Sequence, residues 1–408
     1  MESHDQLPQP QQRNKGTTFF RTCFNGLNVL SGVGILSMPY AVSQGGWLTL
    51  ISLFVIAMLC WYTGLLLQRC METHHEKKSY PGIAELAFGY KGNVVVSIFM
   101  YLELYLVAVE FLILEGDNLE KLFPKMGFRI GSLKMEGKNF FVLLTSLIVL
   151  PTTWLRSLGM LAYVSVGGVL ASIFLVACVL WAGVVDGVGF YGKDQLLLNW
   201  EGFPTAISLF AFCYSGHTVF PTLSNSMKDR SQFSLVLLVC FVTSTITYGS
   251  MAILGYLMYG KYSKSQVTLN LPTRKISTKI AIFTTLINPL TKYAFIITPI
   301  ANAMENTYPC LKRRTISILL RTVIMISTVS VALLLPFFGY IMTFIGAFLS
   351  VTLSMLFPCL CYLKINKAAR RFGLELIVIV GVIVTGSFIG IMGTFTSVKQ
   401  VVKHLVES

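Results

Sequence analysis

Apolar and polar positions along this chain fall into long blocks rather than short periods. Stretches of about 20 residues with almost no charge recur from end to end, separated by short polar segments rich in Lys and Arg. Each stretch is long enough to cross a hydrocarbon core of roughly 30 Å. The pattern predicts spans at 19–43, 46–68, 93–115, 139–154, 159–182, 203–226, 233–259, 277–304, 315–336, 338–363 and 373–396. They are predicted as helices, because an isolated segment in lipid has to satisfy its own backbone hydrogen bonds. The fourth is the shortest and ends at Pro151, with Trp154 and Arg156 beyond it.

Two of these spans are weak where a membrane helix should be strongest. The run "FNGLNVLSGVGILSMPY" carries Ser31-Gly32-Val33-Gly34 at its centre, and "FPTAISLFAFCYSGHTVFP" carries Ser215-Gly216. A proline follows each interruption, at Pro39 and Pro221. The interruptions fall in the first and sixth spans, so an odd number of helices separates them and the second copy is inverted in the membrane. Interrupted spans at matching positions of two halves point to the binding site of a transporter. The freed backbone groups must line a protected cavity. Half-helix N-termini suit a carboxylate, and opposed C-terminal carbonyls suit an ammonium or cation. A zwitterionic amino acid needs both. The competing explanation is that these glycines only let helices pack closely.

The predicted organisation is a short disordered cytoplasmic tail at 1–18, one transmembrane domain at 19–396 and a short lumenal or extracellular tail at 397–408. Within the domain, 19–182 and 203–363 form the two repeats and 373–396 is an extra helix. The tail lacks the apolar core of a cleavable signal peptide, and the loop "YPGIAELAFGYKG" holds Glu85. Basic residues in the short loops favour an amino terminus on the inside, and eleven crossings then put the carboxyl terminus on the other side.

Composition narrows the function. With 54% hydrophobic and 12% charged residues, the chain is a polytopic membrane protein. The net charge of +14 lies in loops beside anionic headgroups, so membrane lipids rather than nucleic acid account for it. Most of the nine cysteines lie in apolar runs and read as packing residues. No metal-ligand spacing, P-loop or clustered nucleophile and base is present, so no metal or other cofactor is expected and the chain is not read as an enzyme.

The motifs "FNGLNVLSGVGILSMPYAVSQGGW", "FCYSGHTVFPTLSNSMKD" and "NPLTKYAFIITPIANAMEN" resemble the amino acid/auxin permease family, in particular its plant and fungal vacuolar amino acid transporters. The resemblance covers Thr17 to about Ser397. It implies an all-α LeuT-type fold of five plus five inverted helices and an eleventh, with helices 1 and 6 broken. It also implies amino acid transport driven by a proton gradient, at the vacuolar membrane with the plasma membrane as the alternative. Many relatives carry a long acidic, Ser-rich amino terminus. The one here is short, so regulation and sorting through such a tail are not expected, while transport is.

On this basis Asn25, Asn28, Ser31, Gly32, Val33 and Gly34, with Tyr214, Ser215, Gly216 and His217, form the expected substrate site. Four ionisable positions inside spans are candidates for proton coupling, since intramembrane charge is costly. A histidine's reference pKa near 6.5 suits proton exchange by His217, the alternative being a neutral ring that hydrogen-bonds a carbonyl of its own broken helix. Lys292 lies too deep to snorkel and needs a carboxylate or carbonyl partner. By resemblance it stands where sodium sits in relatives, and otherwise it tethers the unwound part of helix 1. Asn288 and Pro289, one turn earlier, predict a locally irregular helix. Glu103 and Glu110 are seven apart on one helix face, and either could pair with Lys292 or carry the proton. Glu115 and Asp117 are placed at the outer interface, and His74 and His75 in a solvated loop. The chain reads as a monomeric carrier of mainly neutral amino acids. An amino-acid-sensing receptor with a transporter fold is the main rival, and a channel is a third option.

Overall fold

The computed structural model describes residues 16–73, 79–130, 133–154, 161–335 and 338–407. Residues 1–15 of the predicted tail, His74, His75 and Arg156 lie outside the described residues. The first span is split into α1 (Phe19–Leu30) and α2 (Met38–Gly45), joined by a 3-10 turn over Val33–Ser37 and bent by 47°. Then come α3 (Thr49–Thr73), α4 (Tyr80–Leu122), α5 (Gly137–Thr153) and α6 (Leu161–Val184). The sixth span is split again, into α7 (Phe203–Cys213) and α8 (Phe220–Ser226). It is followed by α9 (Phe233–Tyr259), α10 (Ile276–Thr307) and α11 (Arg314–Leu334). The tenth span runs through α12 (Phe338–Phe344), two π-helical stretches at Ile345–Ser350 and Thr352–Leu356, and α13 (Phe357–Ile365). The last is α14 (Leu374–Glu407). Each predicted span therefore falls on a helix or a broken pair.

Among the described residues, eight helices are long and apolar enough to span outright, and the bent α1–α2 pair makes a ninth. α5 and α7 are shorter apolar helices. Among the described residues one antiparallel pair of strands, β1 (Gly127–Ile130) and β2 (Leu133–Glu136), lies between α4 and α5.

Packing depends on close approach, because lipid tails are as apolar as the side chains they would replace. Ser208 of α7 shows how close. A Cβ added at Gly346 would come within 2.0 Å of its carbonyl oxygen, and one at Gly393 within 2.1 Å of its hydroxyl. α7 is thus wedged at backbone distance between the tenth span and α14. Away from the centre, Ile51, Phe54 and Met58 of α3 recur at i, i+3 and i+7 and stay exposed, as a lipid-facing stripe should.

Three expectations need correction here. Glu85 lies in a helix, not a loop. Ser79 accepts from the Gly82 N–H at 3.2 Å, Pro81 sits in the first turn, and Ile83, Ala84 and Ala87 are buried. The helix bends only at Gly89, whose φ of 69° an L side chain rarely adopts. Asn288 and Pro289 do not disrupt α10, which is helical throughout. Proline removes one N–H, and the Thr285 and Thr291 hydroxyls bond carbonyls in the adjoining turns. Glu115 is buried rather than interfacial, because α4 continues to Leu122 and carries it into the protein.

The densest charge network lies apart from the breaks. Arg321 of α11 is 1% exposed and bonds Glu305 Oε1 at 3.3 Å, Asn302 Oδ1 at 2.9 Å and the Thr153 carbonyl at 3.2 Å. It fastens α11 to α10 and to the last turn of α5. Removing one partner of such a buried pair strands the other charge.

Candidate functional site

The first break begins where α1 runs out of good helix formers. Ser31 leaves the helix with ψ 60°, and Gly32 is extended at φ −88°, ψ −157°. A Cβ at Gly32 would meet nothing closer than the Leu30 carbonyl at 3.9 Å, so close packing does not explain this glycine. It lines a cleft of about 20 Å³, enough for about one water. Ala171 and Ser172 of α6 and Thr284, Thr285 and Asn288 of α10 form the other walls. The Ser31 hydroxyl donates to Ser172 Oγ at 2.6 Å, and Ser172 donates to the Gly168 carbonyl at 3.1 Å.

The second break is built differently. α7 stops at Cys213, and turns over Tyr214–Val219 lead into α8. The Tyr214 hydroxyl donates to Thr245 Oγ1 of α9 at 2.9 Å. Ser215 Oγ donates to Glu103 Oε1 of α4 at 3.0 Å, and Ser350 Oγ donates to the same oxygen at 2.7 Å. His217 is fully buried, and its Nε2 lies 3.0 Å from both the Cys60 carbonyl and Thr63 Oγ1 of α3. A carbonyl only accepts, so Nε2 carries the hydrogen. Among the described residues Nδ1 has no hydrogen-bond partner.

The two breaks touch. Gly34 lies against Cys213, where a Cβ would approach the sulfur to 2.4 Å. Tyr248 of α9 sets its hydroxyl between the carbonyl of Leu30, which it bonds, and that of Cys213 at 3.3 Å. Lys292 Nζ donates to the Asn28 carbonyl in the last turn of α1 at 3.0 Å. That is a favourable place for a cation, at a helix C-terminus. Glu110 is fully buried, close enough to Cys213 for an electrostatic interaction, and among the described residues neither of its oxygens is hydrogen-bonded.

On the amino-terminal face, the strand-like residue ahead of α1 is bridged to the end of α8. Thr17 N–H donates to the Ser226 carbonyl at 2.7 Å, and Lys228 N–H donates to the Thr17 carbonyl at 3.0 Å. This main-chain clasp holds the two broken spans together at that face.

This geometry brings two sets of helix ends together, with ionisable groups beside them. A family model described as "Transmembrane amino acid transporter protein" matches residues 15–401. The chain belongs to this amino acid transporter family. It is 49% identical to amino acid transporter AVT1I of Arabidopsis thaliana over 395 residues, covering 96% of this chain and 97% of that one. With AVT1J of the same plant it shares 50% over 387 residues, 94% of this chain and 92% of the relative. The vesicular GABA transporter of Caenorhabditis elegans is more distant, at 23% identity over 94% of this chain and 80% of its own length. In three dimensions the chain resembles MhsT, whose crystal structure is in complex with L-phenylalanine. The TM-score is 0.57 at 11% identity, over 94% of this chain and all of that one. The fold is accordingly the LeuT type, and the protein is an amino acid transporter rather than an enzyme.

Within this transporter, Asn28, Ser31, Gly32, Val33 and Gly34 surround the first break, and Tyr214, Ser215, Gly216 and His217 form the second. Asn25 lies a turn and a half further down α1, about 9 Å from Ser31 along the helix. Of the partners open to Lys292, the structure shows a carbonyl of α1 and not Glu103 or Glu110. One expected partner differs. His217 reaches a carbonyl of α3 rather than of its own span, because the turn points its ring outward from the break. Ser172, Tyr248 and Ser350 went unpredicted. Ser350 reaches Glu103 from a π-helical stretch, a local rewinding common at functional sites.

Proposed function

We propose that this transporter moves mainly neutral amino acids by secondary active transport coupled to protons, across the vacuolar membrane. The observation that carries the coupling is Glu103, a buried carboxylate whose Oε1 accepts from a residue of the second break. Hydrogen bonds to an ionised carboxylate are roughly twice as strong as neutral ones. A proton arriving on Glu103 therefore loosens Ser215 and Ser350 together, which lets the break and the tenth span move. Glu110, buried without a partner, is the second carrier. His217 holds the break to α3 through Nε2.

The substrate carboxylate meets the unpaired N–H groups that begin the Val33–Ser37 turn, and its amine meets the carbonyls that end α7. Lys292 places its amine on the Asn28 carbonyl. Asn25, Asn28, Ser31, Gly32, Val33 and Gly34 with Tyr214 to His217 make up the binding shell. The carrier works as a monomer among lipids, with its amino terminus in the cytoplasm and its carboxyl terminus in the lumen. The vacuolar location rests on the family resemblance.

Uptake of a panel of radiolabelled amino acids into proteoliposomes under pH gradients of either sign tests the coupling. One sign should accelerate accumulation of neutral amino acids. Equal flux under both overturns the coupling and leaves a facilitator.

A further inference from the structure

The connection between α13 and α14 lies on the amino-terminal face. Four basic residues fall within eight positions there, Lys364, Lys367, Arg370 and Arg371, a density that no other eight-residue window of the chain reaches. All four are exposed. Between Phe357 and Leu376 the chain holds one acid, Glu375. Its Oε1 is already engaged, accepting from Arg69 Nη1 of α3 at 2.8 Å and from the Tyr362 hydroxyl at 2.9 Å. Among the described residues none of the four cations has a carboxylate partner.

The turn that carries them is held in place. Arg370 Nε donates to the Leu363 carbonyl at 2.6 Å and Nη2 to the Lys364 carbonyl at 3.1 Å, which closes the end of α13. Asn366 Oδ1 accepts from the Ala368 N–H at 3.1 Å, and its Nδ2 donates to the Tyr362 hydroxyl at 3.1 Å. A fixed turn loses less freedom when a ligand arrives. Lys364, Lys367 and Arg371 make no side-chain hydrogen bond among the described residues, so their charges are available. Directly after them come Phe372, 91% exposed, and Leu374, 79% exposed. Solvated loop cations need no such neighbours, whereas a segment seated on a membrane surface uses them as an anchor.

We infer that the α13–α14 connection binds a polyanionic phospholipid headgroup in the leaflet of the amino-terminal face. Lys364, Lys367 and Arg371 share the phosphates. Arg370 stays on its two carbonyls and adds charge without moving. Phe372 and Leu374 enter the boundary between headgroups and acyl chains. Several cations on one turn match a headgroup with more than one negative charge, and a singly charged headgroup leaves most of them idle. A soluble phosphate could use the cations but has no use for Phe372 and Leu374, so the occupant is a membrane lipid. The assignment is independent of which amino acid is carried and of what drives it.

The test titrates the full chain, in uncharged detergent, with short-chain phosphatidylinositol bisphosphate, short-chain phosphatidylserine and soluble inositol trisphosphate. Binding is read by thermophoresis. The bisphosphate lipid should bind most tightly. Lys367→Gln combined with Arg371→Gln should weaken it roughly twentyfold, at about fivefold for each cation lost, while Lys367→Arg combined with Arg371→Lys should keep the wild-type affinity. Phe372→Ser should weaken the lipid and leave inositol trisphosphate unaffected. Arg313→Gln combined with Arg314→Gln, in the α10–α11 connection of the same face, should change nothing. Melting temperatures should stay at the wild-type value, because none of these side chains is hydrogen-bonded. Unchanged affinity in the Lys367 and Arg371 double variant overturns the site. An equal loss from the Arg313 and Arg314 pair overturns it in favour of diffuse surface charge. Equal affinity for inositol trisphosphate, with no effect of Phe372→Ser, overturns the lipid as the occupant.

Discussion

The two breaks occupy equivalent places in the two halves of the fold, yet their surroundings differ. At the first, neutral hydroxyls and one lysine surround an open backbone, and Gly32 faces unfilled space. At the second, almost every polar group is tied to a neighbouring helix, through Thr245, Glu103 and Thr63. The contrast assigns different work to similar sequences. An open backbone suits a ligand that brings its own hydrogen bonds. A break fastened to a carboxylate and an imidazole suits a group whose protonation changes the fastening.

Glu103→Gln should separate the two most strongly. Hydrogen bonds to a charged group are worth about 1.5–3 kcal/mol, so gradient-driven accumulation should fall roughly ten- to hundredfold. Exchange of labelled for unlabelled amino acid should persist. Accumulation at the wild-type level would remove Glu103 from the coupling.

Lys292→Ala comes next. The Asn28 carbonyl loses its donor, and uptake should drop about tenfold under either gradient. If only the gradient response disappears while exchange survives, Lys292 belongs functionally with the second break.

Two glycines in the first break divide ligand space from packing space. Gly34→Ala should lower the melting temperature by the equivalent of about 1–3 kcal/mol, since it overpacks against Cys213, and Cys213→Ala should relieve part of that loss. Gly32→Ala should leave melting unchanged and weaken apparent substrate affinity by roughly three- to tenfold. If both variants melt alike, the space beside Gly32 is not reserved for a ligand.

The smallest effect is expected at His217. His217→Gln should cost about 1 kcal/mol of stability, seen as a lower melting temperature, and keep its response to pH gradients. A fully stable variant that no longer responds would transfer the proton from Glu103 to the imidazole.

Much of this arrangement is legible in the chain itself. Apolar blocks of bilayer length give the spans, and Ser-Gly interruptions five spans apart give the breaks. Lys292 announces itself because a charge at that depth needs a partner, and the partner is a carbonyl at the end of α1. The rest depends on neighbours that no local pattern encodes. Tyr248 sits in an ordinary apolar run, and only the folded packing of α9 brings its hydroxyl to two helix ends. Ser350 is equally anonymous until a π-helical rewinding aims it at Glu103. Arg321 and Glu305 lie in different spans, and their sequence separation gives no sign of contact.

The clasp between Thr17 and the end of α8 has a consequence of its own. Its two principal bonds join main chain to main chain, so side-chain substitutions cannot readily tune them. At about 1 kcal/mol each they bias the amino-terminal face toward closure by roughly thirtyfold. Such a bias sets a resting posture and not a direction of travel, because net movement still follows the gradients. It does determine which compartment an idle carrier faces, and so where the next molecule is most easily met.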